Sequence, residues 1–468
     1  MQSYGMVIDG RAVNTQDQDP VINPAFGEPF ATCARASVDH VNEAVAAAKK
    51  AFASWRKDES LRRAKLGECA AILQAKAAEI APILSQEQGK PLNHAMMEIF
   101  GASMWFGYYA GLQIEPEILQ DDSDKRVEVV RKPIGVVAAI TPWNFPVILL
   151  SWKLAPAFLA GNTVVAKPSP FTPLSSLMVA EALREVLPAG VLNVLSGGNE
   201  LGAELTRHPD VRKISFTGSV ATGKKVMSCA AEDLKRVTLE LGGNDPAIVL
   251  DDVDPDQVAE GLFWGAFQNS GQVCSAIKRI YVPEKLHDRL VANLVERAKR
   301  TKVGNGMESD VELGPINNEM QFKKVLSMVE DAKSKGGKIE AGGARLGDKG
   351  YFLPPTIVTN VGRGVKLVDD EQFGTALPIV KYKDLDDAIA QANGTHYGLG
   401  ASVWTKSVER GTEIARELDA GTTWVNNHLD LSPMQPFGGH KWSGIGVENG
   451  SWGYKEFTQI QVVSTKKG

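Results

Sequence analysis

With 468 residues, 43% of them hydrophobic and 23% charged, the chain has a globular composition and too much length for one ordinary core, so two or three domains are expected. Its 51 basic against 56 acidic side chains leave a formal net charge of -5, which excludes the general basic field that nucleic acid or anionic lipid would need. No nucleic acid and no membrane is expected as a partner.

The start, Met1-Gln2-Ser3-Tyr4-Gly5, lacks the charged residues and apolar run of a secretory signal. The most apolar long window, 133–160, carries Asn144, Lys153 and three internal prolines, so it does not read as a membrane span. Cys33, Cys69, Cys229 and Cys274 have no paired spacing, which argues against a disulfide scaffold or zinc site and for a reducing cytoplasm. The seven histidines show no HExxH or HxH spacing, and no metal centre is expected.

In chain order, Asn23-Pro24-Ala25-Phe26-Gly27-Glu28 reads as a turn between short strands. Two amphipathic helices follow, one lined by Val41, Val45, Ala48, Phe52 and Trp55, the other by Leu66, Ala70, Leu73, Ala77 and Ile80. Cys69 sits beside the second stripe, at the core. From Val127 strands and helices alternate: strands at 135–140, 163–166, 191–195, 213–216 and 237–239, with helices between them, two of which span 147–160 and 174–187. Five strands joined by four crossovers predict a doubly wound nucleotide-binding domain. A second α/β region from about 242 to 432 has strands at 247–250, 280–282, 379–380 and 401–404. The Gly-rich runs 335–338 and 341–343 read as loops, and 457–463 alternates like an edge strand that a partner subunit would cover.

Several residues are candidates for chemistry. Val258, Leu262, Phe263, Ala266 and Phe267 recur at helical spacing until Gly271 breaks the helix, which places Cys274 on a turn before the strand at Ile280. A cysteine there is either a presented thiol or a small core hydrophobe. Gly218-Ser219-Val220-Ala221-Thr222-Gly223-Lys224-Lys225 follows a strand and misses the P-loop pattern by one residue, Lys225 standing where Ser or Thr would bind magnesium. It is a kinase-like loop of weak chemistry or a helix cap whose N–H groups suit a pyrophosphate. Glu240, at the carboxyl end of the fifth strand, is either a general base or a solvated strand end; Asn144, at the end of the first, is either an oxyanion donor or a turn residue.

Taken together these pieces resemble the NAD(P)-dependent aldehyde dehydrogenase family over nearly the whole chain. The resemblance runs through Asn23-Pro24, Pro142-Trp143-Asn144-Phe145-Pro146, Ala166-Lys167-Pro168-Ser169, Phe216-Thr217-Gly218-Ser219, Leu239-Glu240-Leu241-Gly242-Gly243 and Gly271-Gln272-Val273-Cys274. It continues through Glu371-Gln372-Phe373-Gly374, Tyr397-Gly398-Leu399, Trp424-Val425-Asn426 and Pro436-Phe437-Gly438-Gly439. The resemblance implies an α/β fold: a Rossmann-type cofactor domain (1–114 and 134–241), an α/β catalytic domain (242–440) and a small β oligomerisation module (115–133 and 454–468) of a homodimer or homotetramer. It implies Cys274 as nucleophile, Asn144 and the Cys274 N–H as oxyanion donors, and Glu240 as the base that activates the water hydrolysing a thioester.

For the cofactor, NAD, the resemblance implies binding by Trp143, Lys167, Ser169, Gly218, Ser219, Leu241, Glu371 and Phe373. Pro170 replaces the glutamate that many NAD-preferring relatives carry three residues after the lysine, so NADP is expected to be tolerated. Thr375 replaces a usual proline. The positions mapped to the aldehyde tunnel, Phe145, Leu149, Trp152, Val273 and Phe437, are all apolar, which favours an aliphatic or aromatic aldehyde. The alternatives are a semialdehyde dehydrogenase and a cysteine-dependent esterase. Acylation of coenzyme A needs no water-activating base, and Glu240 argues against it.

Overall fold

A computed structural model describes residues 1–467, and two large sheets carry the architecture. The first is built on five parallel strands: β1 (Val136–Ile140), β2 (Thr163–Lys167), β3 (Leu192–Val194), β4 (Val211–Thr217) and β5 (Arg236–Glu240). Their order, β5-β4-β1-β2-β3, is doubly wound, and the chain reverses direction across the sheet between β1 and β4. Every residue of β1 and β2 is buried, because helices cover both faces of the sheet and leave no solvated side to alternate toward. The sheet is extended at one end by Met6–Ile8 and Arg11–Val13 and at the other by Gly444–Ile445, so the chain re-enters it near its end.

Register decides what this sheet presents. Glu240 lies opposite Thr217, Phe216 opposite Ile140, and Ile140 opposite Lys167. The segments after β1, β2, β4 and β5 therefore emerge together at one edge, the edge where such sheets hold ligands. The helix predicted at 174–187 ends earlier, at Leu183.

The second sheet has the order Lys338–Ala341, Thr356–Thr359, Ala376–Tyr382, Ile277–Pro283, Asp245–Val249, Gly400–Trp404, Thr422–Val425, parallel except for the first pair. Its four central strands match the predicted ones. The outer three were not anticipated, and one of them corrects a reading: Lys338–Ala341 is a strand between the two Gly-rich runs, paired with Thr356–Thr359. In a third sheet, Thr458–Lys466 pairs along its whole length with Lys125–Pro133, which pairs in turn with Glu117–Asp121. Gly468, the last residue of the expected oligomerisation module, lies outside the described residues. Among the described residues no helix is long and apolar enough to cross a membrane, and no group of His, Cys, Asp or Glu is arranged to hold a metal ion.

Four helices frame the cleft between the two large sheets: α1 (Leu92–Gly111), α2 (Pro146–Ala160), α3 (Val220–Glu232) and α4 (Pro255–Phe267). Helix α2 is almost wholly buried, in keeping with its near-continuous apolar sequence.

Candidate active site

Helix α4 is followed, after Gln268, by three successive left-handed residues, Asn269 (φ 51°), Ser270 (φ 57°) and Gly271 (φ 72°). For Asn and Ser that conformation costs roughly 1–2 kcal/mol each, so neighbours must hold it. Asn269 Nδ2 donates to the Asn144 carbonyl at 3.1 Å, Ser270 Oγ to the Gly314 carbonyl at 2.8 Å, and Gln272 Nε2 to the Asn269 carbonyl at 2.8 Å. Gly271 is required, since a Cβ there would strike the Gly374 carbonyl. Lys278, fully buried in the strand that follows, donates to the carbonyls of Gly271 at 2.9 Å and Val273 at 2.7 Å. This turn delivers Cys274, half-buried and free, into the cleft.

Asn144 arrives from the opposite lobe. Its Nδ2 donates to the Gln272 carbonyl at 2.9 Å, which ties the two lobes together and leaves one amide N–H uncommitted. Lys90 Nζ donates to the Asn144 carbonyl at 2.9 Å and pairs with Glu98. Glu98 also accepts from the N–H groups of Val147 (2.9 Å) and Ile148 (3.2 Å), capping α2, whose first residue, Pro146, has no N–H.

Glu240, at the end of β5, is buried, and neither carboxylate oxygen has a hydrogen-bond partner. Burial raises its pKa well above the ordinary carboxylate value; Glu448 adds to the rise and Lys153 opposes it. Lys153 and Glu448 form a buried ion pair at 2.6 Å, with Lys153 also donating to Thr217 Oγ1 at 2.7 Å. Burial pushes the Cys274 thiol up to about 12, with further rises from Glu240, Asp245 and Glu371, while Lys278 pulls it down.

One cavity of about 380 Å³ is lined by Cys274, Glu240 and Asn144 together with Phe145, Leu149, Trp152, Val273 and Phe437. Its aromatic wall is ordered: Trp152 stacks on Trp105 (centroids 5.4 Å apart) and meets Phe437 edge-on at 5.6 Å. The rim is apolar too, with Met97 and Met104 exposed. Lys90 also reaches the lining, but Glu98, the Asn144 carbonyl and the Phe145 ring 3.9 Å away already engage it.

The remaining predicted residues lie outside that cavity. Trp143 meets Phe373 edge-on at 5.2 Å. Glu371 is half-buried, accepts from Gly243 N–H at 3.1 Å, and approaches Gly242 so closely that a Cβ there would collide with it. Gly218 N–H donates to the Glu240 carbonyl at 3.0 Å, Ser219 caps α3, and Leu241 packs over Gly223. Lys167 ends β2 and Ser169 follows it; burial lowers the Lys167 pKa to about 8. Pro170 is exposed. Thr375, unexplained by sequence, has a physical role: its hydroxyl donates to the Leu353 carbonyl at 2.9 Å, a bond proline could not make.

Sequence reading missed Lys278, the Lys90–Glu98 pair and the Lys153–Glu448 pair. For Lys278 there was a signal, two adjacent cations in an otherwise apolar strand, Ile277-Lys278-Arg279-Ile280. The pairs gave none, since each joins segments far apart in the chain.

The aldehyde dehydrogenase family model matches residues 12–463. Retinaldehyde dehydrogenase 3 of Rattus norvegicus is 39% identical over 454 residues, 95% of this chain and 89% of its own length. Cytosolic aldehyde dehydrogenase 1 of the same species is 40% identical over 457 residues, 96% of this chain and 91% of its own. Among solved structures, the NAD+ complex of aldehyde dehydrogenase from Bacillus cereus superposes with a TM-score of 0.97 at 35% identity, covering 100% of this chain and 97% of that one.

Proposed function

The chain belongs to the aldehyde dehydrogenase family and is an NAD(P)-dependent enzyme of that kind, and from this premise we propose that it oxidises a bulky apolar aldehyde to the carboxylic acid through Cys274, Asn144 and Glu240. The observation that carries the proposal is one apolar cavity holding a thiol, an amide with a free N–H, and a carboxylate whose two oxygens have no partner. Cys274 as thiolate attacks the aldehyde carbon, and the developing oxyanion is met by the free Asn144 N–H and the Cys274 backbone N–H. A nicotinamide cofactor bound beside Cys274 would supply the hydride acceptor, and loss of hydride from the Cys274 adduct would leave it as a thioester. Glu240 then takes a proton from water, and the hydroxide attacks the thioester and frees the acid.

The residues present fit a dinucleotide. The α3 N-terminus at Gly218-Ser219 and the Lys167 ammonium supply donors for a pyrophosphate and a ribose, Glu371 supplies an acceptor for ribose hydroxyls, and Trp143 and Phe373 supply aromatic walls. Pro170 offers no carboxylate to repel a 2′-phosphate, so we propose that NADP is tolerated beside NAD.

The substrate class follows from the walls. A semialdehyde would bring a further carboxylate into the cavity, where Lys90 is already engaged. An apolar aldehyde suits the Trp152–Phe437 wall, and a relative named for retinaldehyde fits that reading. We further propose a homodimer or homotetramer built on the sheet of Glu117–Asp121, Lys125–Pro133 and Thr458–Lys466, which exposes Ile118, Leu119, Ile460 and Val462. A cytosolic relative and four unpaired cysteines support a cytoplasmic location.

The test is reduction of NAD and NADP, followed by absorbance, across hexanal, octanal, benzaldehyde, retinaldehyde and succinate semialdehyde. The expected kcat/KM is highest for the apolar aldehydes. Preference for the semialdehyde would overturn the substrate class, and no reduction with any apolar aldehyde would overturn the reaction.

A further inference from the structure

Resting on the reading of Cys274 as nucleophile, we infer that Lys278 is the positioning residue that readies it, clamping the carbonyls of Gly271 and Val273 and holding a cation beside the thiol. The geometry is specific. Lys278 sits four residues after Cys274 in a strand whose residues are all buried, and its ammonium turns back to the turn that carries the thiol. The Val273 carbonyl belongs to the peptide that supplies the Cys274 N–H, so the clamp fixes the backbone donor as well as the side chain. The centroid of the Phe373 ring lies 5.1 Å from Nζ.

A clamp alone would not need a lysine. Burying an ammonium is costly, and the amide of a glutamine could reach carbonyls without that cost. What a lysine adds is charge, and the surroundings make that charge matter. Glu240, Asp245 and Glu371 all disfavour ionisation of Cys274, whereas Lys278 is the charged group whose field favours it among those acting on the thiol. Burial lowers the Lys278 pKa to about 8, while Glu371, Asp245 and Cys274 face it and hold its charge and Lys324 opposes them, so the cation is present below about pH 8. His428, held at the Ser275 carbonyl, is kept neutral by burial and contributes no second cation.

The experiment compares the parent enzyme with Lys278→Gln, Lys278→Arg and Cys274→Ala. Alkylation of Cys274 by iodoacetamide is followed by mass spectrometry between pH 6 and pH 10, with no cofactor present. Lys278→Gln keeps N–H donors but no charge, and its alkylation at pH 7, where the parent lysine is charged, is expected to fall about tenfold or more, its pH profile moving alkaline by at least about one unit. Lys278→Arg is expected to stay within about threefold of the parent, since it restores the charge. An unchanged profile in a folded Lys278→Gln enzyme overturns the inference. If that variant does not fold, a folded Lys278→Arg enzyme with thiol reactivity near the parent's supports the charge, and a tenfold loss overturns it; failure of both to fold assigns Lys278 to structure and also overturns it. Turnover by Cys274→Ala would remove the underlying reading of Cys274, an outcome separate from any behaviour of the Lys278 variants.

Discussion

Glu98 and Glu240 are both buried carboxylates in the lining of one cavity, 5% and 3% exposed, and their surroundings are opposite. Glu98 has an ammonium and two backbone N–H groups on its oxygens, so each side chain and helix end it touches is fixed by it. Glu240 has nothing on either oxygen. A satisfied buried carboxylate is structure, and its removal leaves stranded partners. An unsatisfied one weakens the fold and is retained for what it does to a ligand. The cleft therefore separates two kinds of polar residue by their hydrogen bonds, where burial alone would group them.

That separation can be broken by exchanging the roles. The largest effect expected is on turnover in Glu240→Gln, where losing the base should lower kcat by about 10²–10⁴ while a burst of reduced cofactor survives. Rapid-mixing absorbance reads both; loss of the burst would place Glu240 before hydride transfer and end its assignment to deacylation. Next, Glu98→Ala strands the Lys90 ammonium and two N–H groups and should cost about 3–5 kcal/mol of stability. Urea unfolding measures it, and a loss below about 1 kcal/mol would mean that Glu98 is no better anchored than a surface ion pair. Smaller again, Asn144→Ala removes the free N–H proposed for the oxyanion and should lower kcat/KM by about 3 kcal/mol of transition-state stabilisation. A change confined to KM would assign Asn144 to substrate binding alone.

The contrast also marks what could be read in advance. The core strands of both sheets were legible because doubly covered parallel strands are unbroken apolar runs, as in Val136–Ile140. Lys338–Ala341, Thr356–Thr359 and Thr422–Val425 were not, being four residues each and lying toward the sheet's two ends, where the apolar pattern weakens. Cys274, Asn144 and Glu240 were individually ambiguous and gained meaning from motifs that fix their chain order. Their supports were invisible for a physical reason: Glu98 caps a helix that begins 48 residues later, and Lys153 meets Glu448 across 295 residues. Such pairings exist only once the helices and sheets have packed, and local propensity carries no trace of them.

The smallest effect tests the comparison most directly, because it concerns stability and not chemistry. Burial raises the Glu240 pKa on folding, so the native state holds that proton more tightly than the unfolded chain does. The stability tied to the proton is full below the ordinary carboxylate pKa and is lost as pH rises toward the raised value. Glutamine cannot ionise and escapes that loss. Glu240→Gln should therefore match the parent in urea unfolding at about pH 4, near the unperturbed carboxylate pKa, and become the more stable of the two by about 1 kcal/mol or more at pH 8. Glu98→Gln should go the other way, losing stability at pH 8 because Lys90, whose charge burial disfavours and Glu98 upholds, loses its partner. If both glutamine variants shift in the same direction at pH 8, the two carboxylates are not the opposites their hydrogen bonds make them.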